Sequence, residues 1–384
     1  MDRKPLINED SVDRLIEMVI ERVNAPENQA KKLLSFPKYD MSMEEGIAFS
    51  KIFGFNFNRC LENPDFNVRQ QLRNRLFCMD NLGGSSAFIS DIPSYPGYYF
   101  EYSFFGIRVG YTAEGVPTLQ DDHPVTREPA ISLVPKFDFK SSGLLPLIRS
   151  SYERQRNVVG NRIKLVFPTF VRGCLDIAIQ LRGYENWITD TLERPQFVHD
   201  LMQLIVDYRI TSTEATYAYL GEPVPESVTL ADDWVNIPFI TPAMFDDFVL
   251  PYYQQLADHY GKITNFHTCG CQNQIIDSLK GIHGLQSFEV SPWTSLDLIL
   301  EKVPAEMPLT IALHSNKHVL LPSPEEIRAH LYEILTKTVG RKITVLAGGL
   351  QPIHEDYNRD ISRIREFAAI AHEVFSEFKT RVTE

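Results

Sequence analysis

Long apolar runs are missing from this chain. No stretch of about 18 uninterrupted apolar residues occurs among its 384 residues, which argues against a membrane span. The opening residues, MDRKPLINED, lack the apolar core of a secretory signal, so a cytoplasmic setting is expected. Cysteine is scarce. Five residues, an odd and scattered number, make no disulfide framework and fit a reducing compartment. Basic residues are outnumbered, 38 Lys and Arg against 50 Asp and Glu, for a net charge of −12. Such a balance is poorly suited to displacing counterions from nucleic acid, and it argues more weakly against a polyanionic substrate. Tandem repeats and low-complexity tracts are also lacking.

What is present is enough apolar material for a large core, 43% of residues. The length is generous for one ordinary domain but suits a single α/β barrel with extra segments. Near the start, Val12, Leu15, Ile16, Val19, Ile20 and Val23 recur at three-and-four spacing, which predicts a helix capped by Asp10 or Ser11. The stretch from Phe55 to Gly160 is rich in Phe, Tyr, Pro and Gly and predicts irregular loops, short strands and a hairpin through Ile107 to Tyr111. From Arg162 onward the pattern turns regular. RIKLVFPTF, SVTLADDW, KITNFHTCG, LQSFEV, LTIALHS and KITVLAGG read as strands, with helical stretches between most of them. The clearest helix starts at Ser323, with Pro324 at its first position and Glu326 completing a capping box.

Strands separated by helices pair in parallel, since antiparallel hairpins need no helical crossover. An open sheet and a closed barrel both meet that condition. Asp232, Asp233, His267, Cys269, Glu289, His314 and the pair Gly348 and Gly349 all fall at or just beyond the C-terminal ends of predicted strands. A (β/α)8 TIM barrel gathers those ends at one mouth, and that fold is expected here. The expected division is an N-terminal helical segment over 1–60, packed on a barrel over 61–384, all within one α/β domain with a loop-rich extension.

The segment NFHTCGCQNQ concentrates soft ligands. On a strand, residues two apart point the same way, so His267 and Cys269 offer an imidazole and a thiol to one point. A zinc ion accepts such ligands, and a catalytic one keeps a position open. Cys271 continues the alternation unless Gly270 turns the chain. A buried, inert Cys and His remain an open reading, and a redox pair is disfavoured because such dithiols favour C-x-x-C at a helix start. Asp232 and Asp233 suit substrate orientation or base catalysis, or else capping of the next turn. Trp234 suits an apolar wall of the mouth or plain core. Arg172, near a strand end, suits an anionic group or an ion pair. Tyr95, Tyr98 and Tyr99 lie in an aromatic loop, which is more simply packed on its own rings than used as a lid. His318 falls in a loop after a strand and is not counted as a ligand.

Several separate stretches resemble the uroporphyrinogen decarboxylase superfamily, and most closely its branch of cobalamin-dependent and thiol methyltransferases. These are GCLDIAIQLRGYENWITDTLERPQFVHDLM, ADDWVNIPFITPAMFDDFVLPYY, LLPSPEEIRAHLYEIL and AGGLQPIHEDYNRDISRIREF, and more distantly the hairpin-like FGIRVGYTAEGVPTLQDDHPV. NFHTCG is similar to the H-x-C-G zinc motif of the methyltransferases. Two departures matter. KLLSFPKYDMSMEEGIAFS carries no cluster of arginines like the one that grips porphyrinogen carboxylates in the decarboxylases. In LAGGLQP, Gly348 stands where the methyltransferases place a third cysteine ligand.

The resemblance implies a methyltransferase that moves methyl between a corrinoid (cobalamin) on a partner protein and a zinc-activated thiol acceptor or methyl-donor substrate. It implies His267 and Cys269 as metal ligands; placement at or near strand ends offers Cys271 and His314 as further ligands, and Asp232, Asp233 and Glu289 as catalytic groups. Arg172, Trp234, Gly348 and Gly349 would line the substrate, and Glu289 is a further candidate to replace the missing thiolate. A homodimer is expected, as is usual in the superfamily. The competing expectations are decarboxylation of a tetrapyrrole, with Asp232 or Asp233 facing pyrrole nitrogens, and a non-catalytic barrel that binds a small molecule.

Overall fold

Parallel strands, most of them separated by helices, organise the chain. The structure, a computed structural model, describes residues 11–26, 28–29, 35–120 and 122–383. Its strands are β1 (Lys38–Met43), β2 (Ile92–Pro93), β3 (Val109–Tyr111), β4 (Pro117–Leu119), β5 (Leu165–Val166), β6 (Val228–Ala231), β7 (Ile263–His267), β8 (Phe288–Val290), β9 (Leu309–Ala312) and β10 (Ile343–Leu350). β3 and β4 form an antiparallel hairpin where one was expected. The other eight pair in parallel or bridge to neighbours. β1, β10, β9 and β8 form one sheet in that order, β6 pairs with β7, and β2 with β5. Single parallel bridges continue the sequence between these groups, Ile263 with Leu285 and Arg172 with Ala231. Apart from the hairpin, strands adjacent in sequence are adjacent in space, and the last pairs with the first. That is the order of a (β/α)8 barrel. Between β1 and β2 the wall is carried by side chains rather than a ladder. Asp40 accepts from the Ser86 amide at 3.1 Å and from the hydroxyls of Ser85 at 3.2 Å and Ser86 at 2.6 Å.

β1 corrects the expected division of the chain. It lies within 1–60, so the barrel begins before residue 61 and residues 1–60 are not a helical segment set outside it. KYDMSM alternates in burial, with Tyr39, Met41 and Met43 buried and Tyr39 against Phe375 of the C-terminal helix. It contains no β-branched residue, and strand propensity rests heavily on those. The N-terminal helix forms as expected over Val12–Asn24, with Ser11 accepting from the Arg14 amide and Leu15, Ile16, Val19 and Val23 buried. It packs on the helix Pro64–Asn81.

RIKLVFPTF is strand only at Leu165–Val166, because Pro168 cannot donate to a ladder. The chain regains parallel contact at Arg172, where Ala231 donates to the Val171 carbonyl at 2.9 Å and Gly173 donates to Ala231 at 2.7 Å. The capping box at Ser323 and Glu326 is present. The aromatic loop packs partly on its own rings, Tyr95 on Phe100 and Phe100 on Phe104, and partly on Phe137, Phe170 and Tyr208 outside it. Among the described residues no helix is long and apolar enough to cross a membrane.

Candidate metal centre at the barrel mouth

β7 ends at His267, and alternation sets Phe266 outward against Tyr253, ring centroids 5.5 Å apart, while Asn265 and His267 face the other way. Two residues on, the Cys269 sulfur lies 3.2 Å from His267 Nε2. The other ring nitrogen, Nδ1, contacts the carboxylate of Glu289 on β8. A carboxylate only accepts, so Nδ1 carries the proton and Nε2 faces Cys269. Glu289 is nearly inaccessible, and its second oxygen takes the Asn265 amide at 3.0 Å. It therefore orients His267 from behind.

The register of β6 against β7 sets Ala231 opposite His267, and the two aspartates that follow diverge. Asp232 turns away from the mouth. Its Oδ2 accepts from the Leu175 amide at 3.0 Å, in the first turn of the helix Cys174–Arg182, and from the Tyr253 hydroxyl. A Cβ at Gly173 would lie 2.1 Å from that oxygen, so only glycine permits the cap. Burial pushes the Asp232 carboxyl up to about 6, against the Tyr253 hydrogen bond. Asp232 thus takes the capping role, one of the two weighed for it.

Asp233 turns inward. Its Oδ2 meets Arg172 Nη1 at 2.8 Å, while its buried Oδ1 has no hydrogen-bond partner and lies 3.8 Å from His267 Nε2. Asp233, His267 and Cys269 form the one group of three metal-capable side chains among the described residues, with ligand atoms all within 4.8 Å of one another. Bond lengths of about 2.0–2.3 Å in a tetrahedral zinc site set neighbouring ligand atoms about 3.4–3.6 Å apart. The observed 3.2 and 3.8 Å straddle that spacing. An orphaned carboxylate oxygen, an imidazole and a thiol facing one another are a donor set that fits a zinc ion with a position left open.

The electrostatics agree. Burial disfavours the His267 imidazolium, but hydrogen bonds to Cys269 and Glu289 and the Glu289 charge lift its pKa to about 10. Burial also raises the Cys269 thiol, eased by His267 and reinforced by Asp233. A proton thus sits where a cation would replace it. Burial works against the charge on Arg172, yet Asp176 and Asp233 hold its pKa above the usual range.

The remaining candidates separate cleanly. Cys271 is held by its backbone, accepting from the Ile237 amide at 2.9 Å, and its thiol is outside the three-residue group. His314 caps its own turn, with its side chain accepting from the amides of Asn316 and Lys317, and its ring faces Trp293 at 5.6 Å. Neither side chain joins the group of three: Gly270 lies in a bend before Cys271, and His314 is engaged locally. Glu289 also stands outside the ligand group. The third member of the close group is Asp233, just past the end of β6. Gly348 accepts from the Ser315 hydroxyl at 2.9 Å, and Gly349 has φ of 62°, a conformation suited to glycine. Trp234 stacks on Tyr184 at 5.2 Å and meets Phe239 edge-on at 4.8 Å, forming an aromatic ledge.

One participant was missed. Asp176 pairs with Arg172 at 3.1 Å, an i,i+4 spacing visible in RGCLD. Tyr99, weighed with the aromatic loop, stacks on the Arg172 guanidinium, 4.4 Å from ring centroid to carbon.

A family model described as uroporphyrinogen decarboxylase (URO-D) matches residues 97–366, well over half the chain. No curated protein matches the sequence. Among solved structures, a methyltransferase from Methanosarcina mazei superposes with a TM-score of 0.61, covering 92% of this chain and 99% of its own at 15% identity. At that identity the likeness speaks for a shared fold.

Proposed function

The chain belongs to the uroporphyrinogen decarboxylase family, and from that premise we propose that it is a methyltransferase with a zinc ion held by His267, Cys269 and Asp233. Its reaction moves a methyl group between a corrinoid on a partner protein and a thiol acceptor or methyl-donor substrate. The observation that carries this reading is the partnerless Asp233 Oδ1 facing His267 Nε2 beside the Cys269 thiol. Zinc bound there would supply Lewis acidity, stabilising the deprotonated form of a substrate sulfur or leaving group. Glu289 fixes the His267 tautomer and keeps Nε2 directed at the mouth. Arg172 balances the charge of Asp233, so the ligand carboxylate is not left as an isolated buried anion. Trp234, Tyr184 and Phe239 form an apolar ledge suited to excluding water beside a large flat cofactor. A cytoplasmic setting and a homodimer are part of the same proposal.

The family description also favours a decarboxylase. Against it, the cation at this mouth, Arg172, is already committed to Asp176 and Asp233 and is poorly placed to grip several substrate carboxylates. The test has three arms on protein purified without chelator: elemental analysis, methylcobalamin turnover followed by absorbance against a panel of thiols, and carboxylate loss from uroporphyrinogen. About one zinc per chain and thiol-dependent demethylation are expected. Metal-free protein that decarboxylates uroporphyrinogen would overturn the proposal.

A further inference from the structure

Arg172 is more than a counter-charge. Its backbone is fixed on three sides: the flanking Val171 and Gly173 bond to Ala231, and the Arg172 carbonyl accepts from buried Arg209 at 2.6 Å. Its Nη1 is shared between Asp176 Oδ2 at 3.1 Å and Asp233 Oδ2 at 2.8 Å. The other oxygen of Asp176 accepts from the Asp233 amide at 2.9 Å. Asp233 is therefore gripped at its backbone and at one carboxylate oxygen, leaving Oδ1 alone to face His267 and Cys269. Beneath the guanidinium lies the ring of Tyr99, which also meets Tyr102 edge-on at 5.4 Å. Tyr99 is the one non-glycine residue with positive φ among the described residues, at 64°, a conformation tyrosine adopts at a cost.

We propose that Arg172 is a positioning residue for the third metal ligand, holding Asp233 Oδ2 so that Oδ1 is presented to the ion, with Asp176 and Tyr99 as its supports. The inference rests on the zinc reading above and deepens it. An unclamped carboxylate can rotate, offer either oxygen or swing to solvent, and each alternative weakens a ligand set that needs one geometry. The arrangement also gives the i,i+4 pair Arg172 and Asp176 a task, since a solvated ion pair would need neither their burial nor the strained tyrosine.

The experiment measures Zn2+ affinity by competition with a chromophoric chelator, and the Co2+ absorption spectrum, on the full chain and on Arg172→Gln, Arg172→Lys and Asp176→Asn. Arg172→Gln should lose about 10- to 100-fold in Zn2+ affinity. Its Co2+ form should keep the thiolate charge-transfer band from Cys269 while its ligand-field bands shift. Arg172→Lys should recover part of the loss. Asp176→Asn keeps an acceptor for the Asp233 amide, should fold if Arg172→Gln does not, and should show a smaller loss in the same direction. Wild-type affinity and an unchanged Co2+ spectrum in the folded variants would overturn the clamp alone. A wild-type chain that takes up no Zn2+ would overturn the metal reading and the clamp with it.

Discussion

Glu289 on β8 accepts a hydrogen bond from Nδ1 of His267 on β7, and that bond decides which ring nitrogen looks into the barrel mouth. The partner is almost wholly buried and is itself held by Asn265, so the imidazole is oriented by a rigid neighbour. Replacing Glu289 by Gln keeps the shape but removes the charge and the unambiguous acceptor. Zinc affinity should fall by about 10- to 100-fold, with chelator competition as the measurement. An unchanged affinity would mean that the ring needs no such support.

The ligand set predicts a sharp contrast among five positions. His267→Ala, Cys269→Ala and Asp233→Ala each remove one member of the only close group of three among the described residues and should abolish stoichiometric zinc binding. Cys271→Ala and His314→Ala should leave it intact. Their side chains lie outside that group, and His314 is engaged with the amides of its own turn. Elemental analysis of the five variants gives the answer directly. Metal loss in Cys271→Ala with retention in Asp233→Ala would reverse the assignment.

Gly270 joins the two ligand-bearing loops. A Cβ there would lie 2.1 Å from the Asn236 side chain, whose amide donates to the Asp233 carbonyl at 2.6 Å. Gly270→Ala must push the β7 loop from the β6 loop, separating Cys269 from Asp233. The expected cost is about 1–3 kcal/mol of stability, read by urea unfolding, together with weakened zinc binding. Equal stability and affinity would show that the loops yield without strain.

How far the sequence carried the fold and the site follows from what kind of information each part uses. Period-two alternation marked His267 and Cys269 as sharing a face, and the capping box marked the helix from Ser323, because both are local rules. The barrel was legible from strands and helices in turn, but β1 was hidden in a six-residue stretch without β-branched side chains. The third member of the close group, Asp233, was not legible as such. Asp232 and Asp233 are chemically identical neighbours, and only the register of β6 on β7, with the helix start at Leu175 waiting for a cap, sends one outward and the other into the mouth. Tyr99 was visible only as part of an aromatic loop; its left-handed backbone and its stacking on Arg172 are tertiary features with no local signal.

His318, outside the group of three, supplies an acid-sensitive element. Its Nδ1 accepts from the His314 amide at 3.0 Å, and its ring lies 4.4 Å from that of His330, beside a cavity of about 120 Å³ that also meets Glu333 and Lys337. Burial, then the neighbouring His330, His314 and Lys317, lower its pKa from 6.5 to about 4. The unfolded chain therefore binds more protons than the folded one between those values. Stability from this group is fully present above pH 6.5 and is lost as pH falls toward 4, with no further loss below. Because the ring is partly solvated, the loss is discounted to about 1–2 kcal/mol. His318→Asn retains an acceptor but cannot be protonated in this range. Urea unfolding at pH 7.5 and pH 5 should show a smaller acid-induced drop in this variant than in the wild type. Equal drops would place the acid sensitivity elsewhere, with half-buried His330 or the carboxylates.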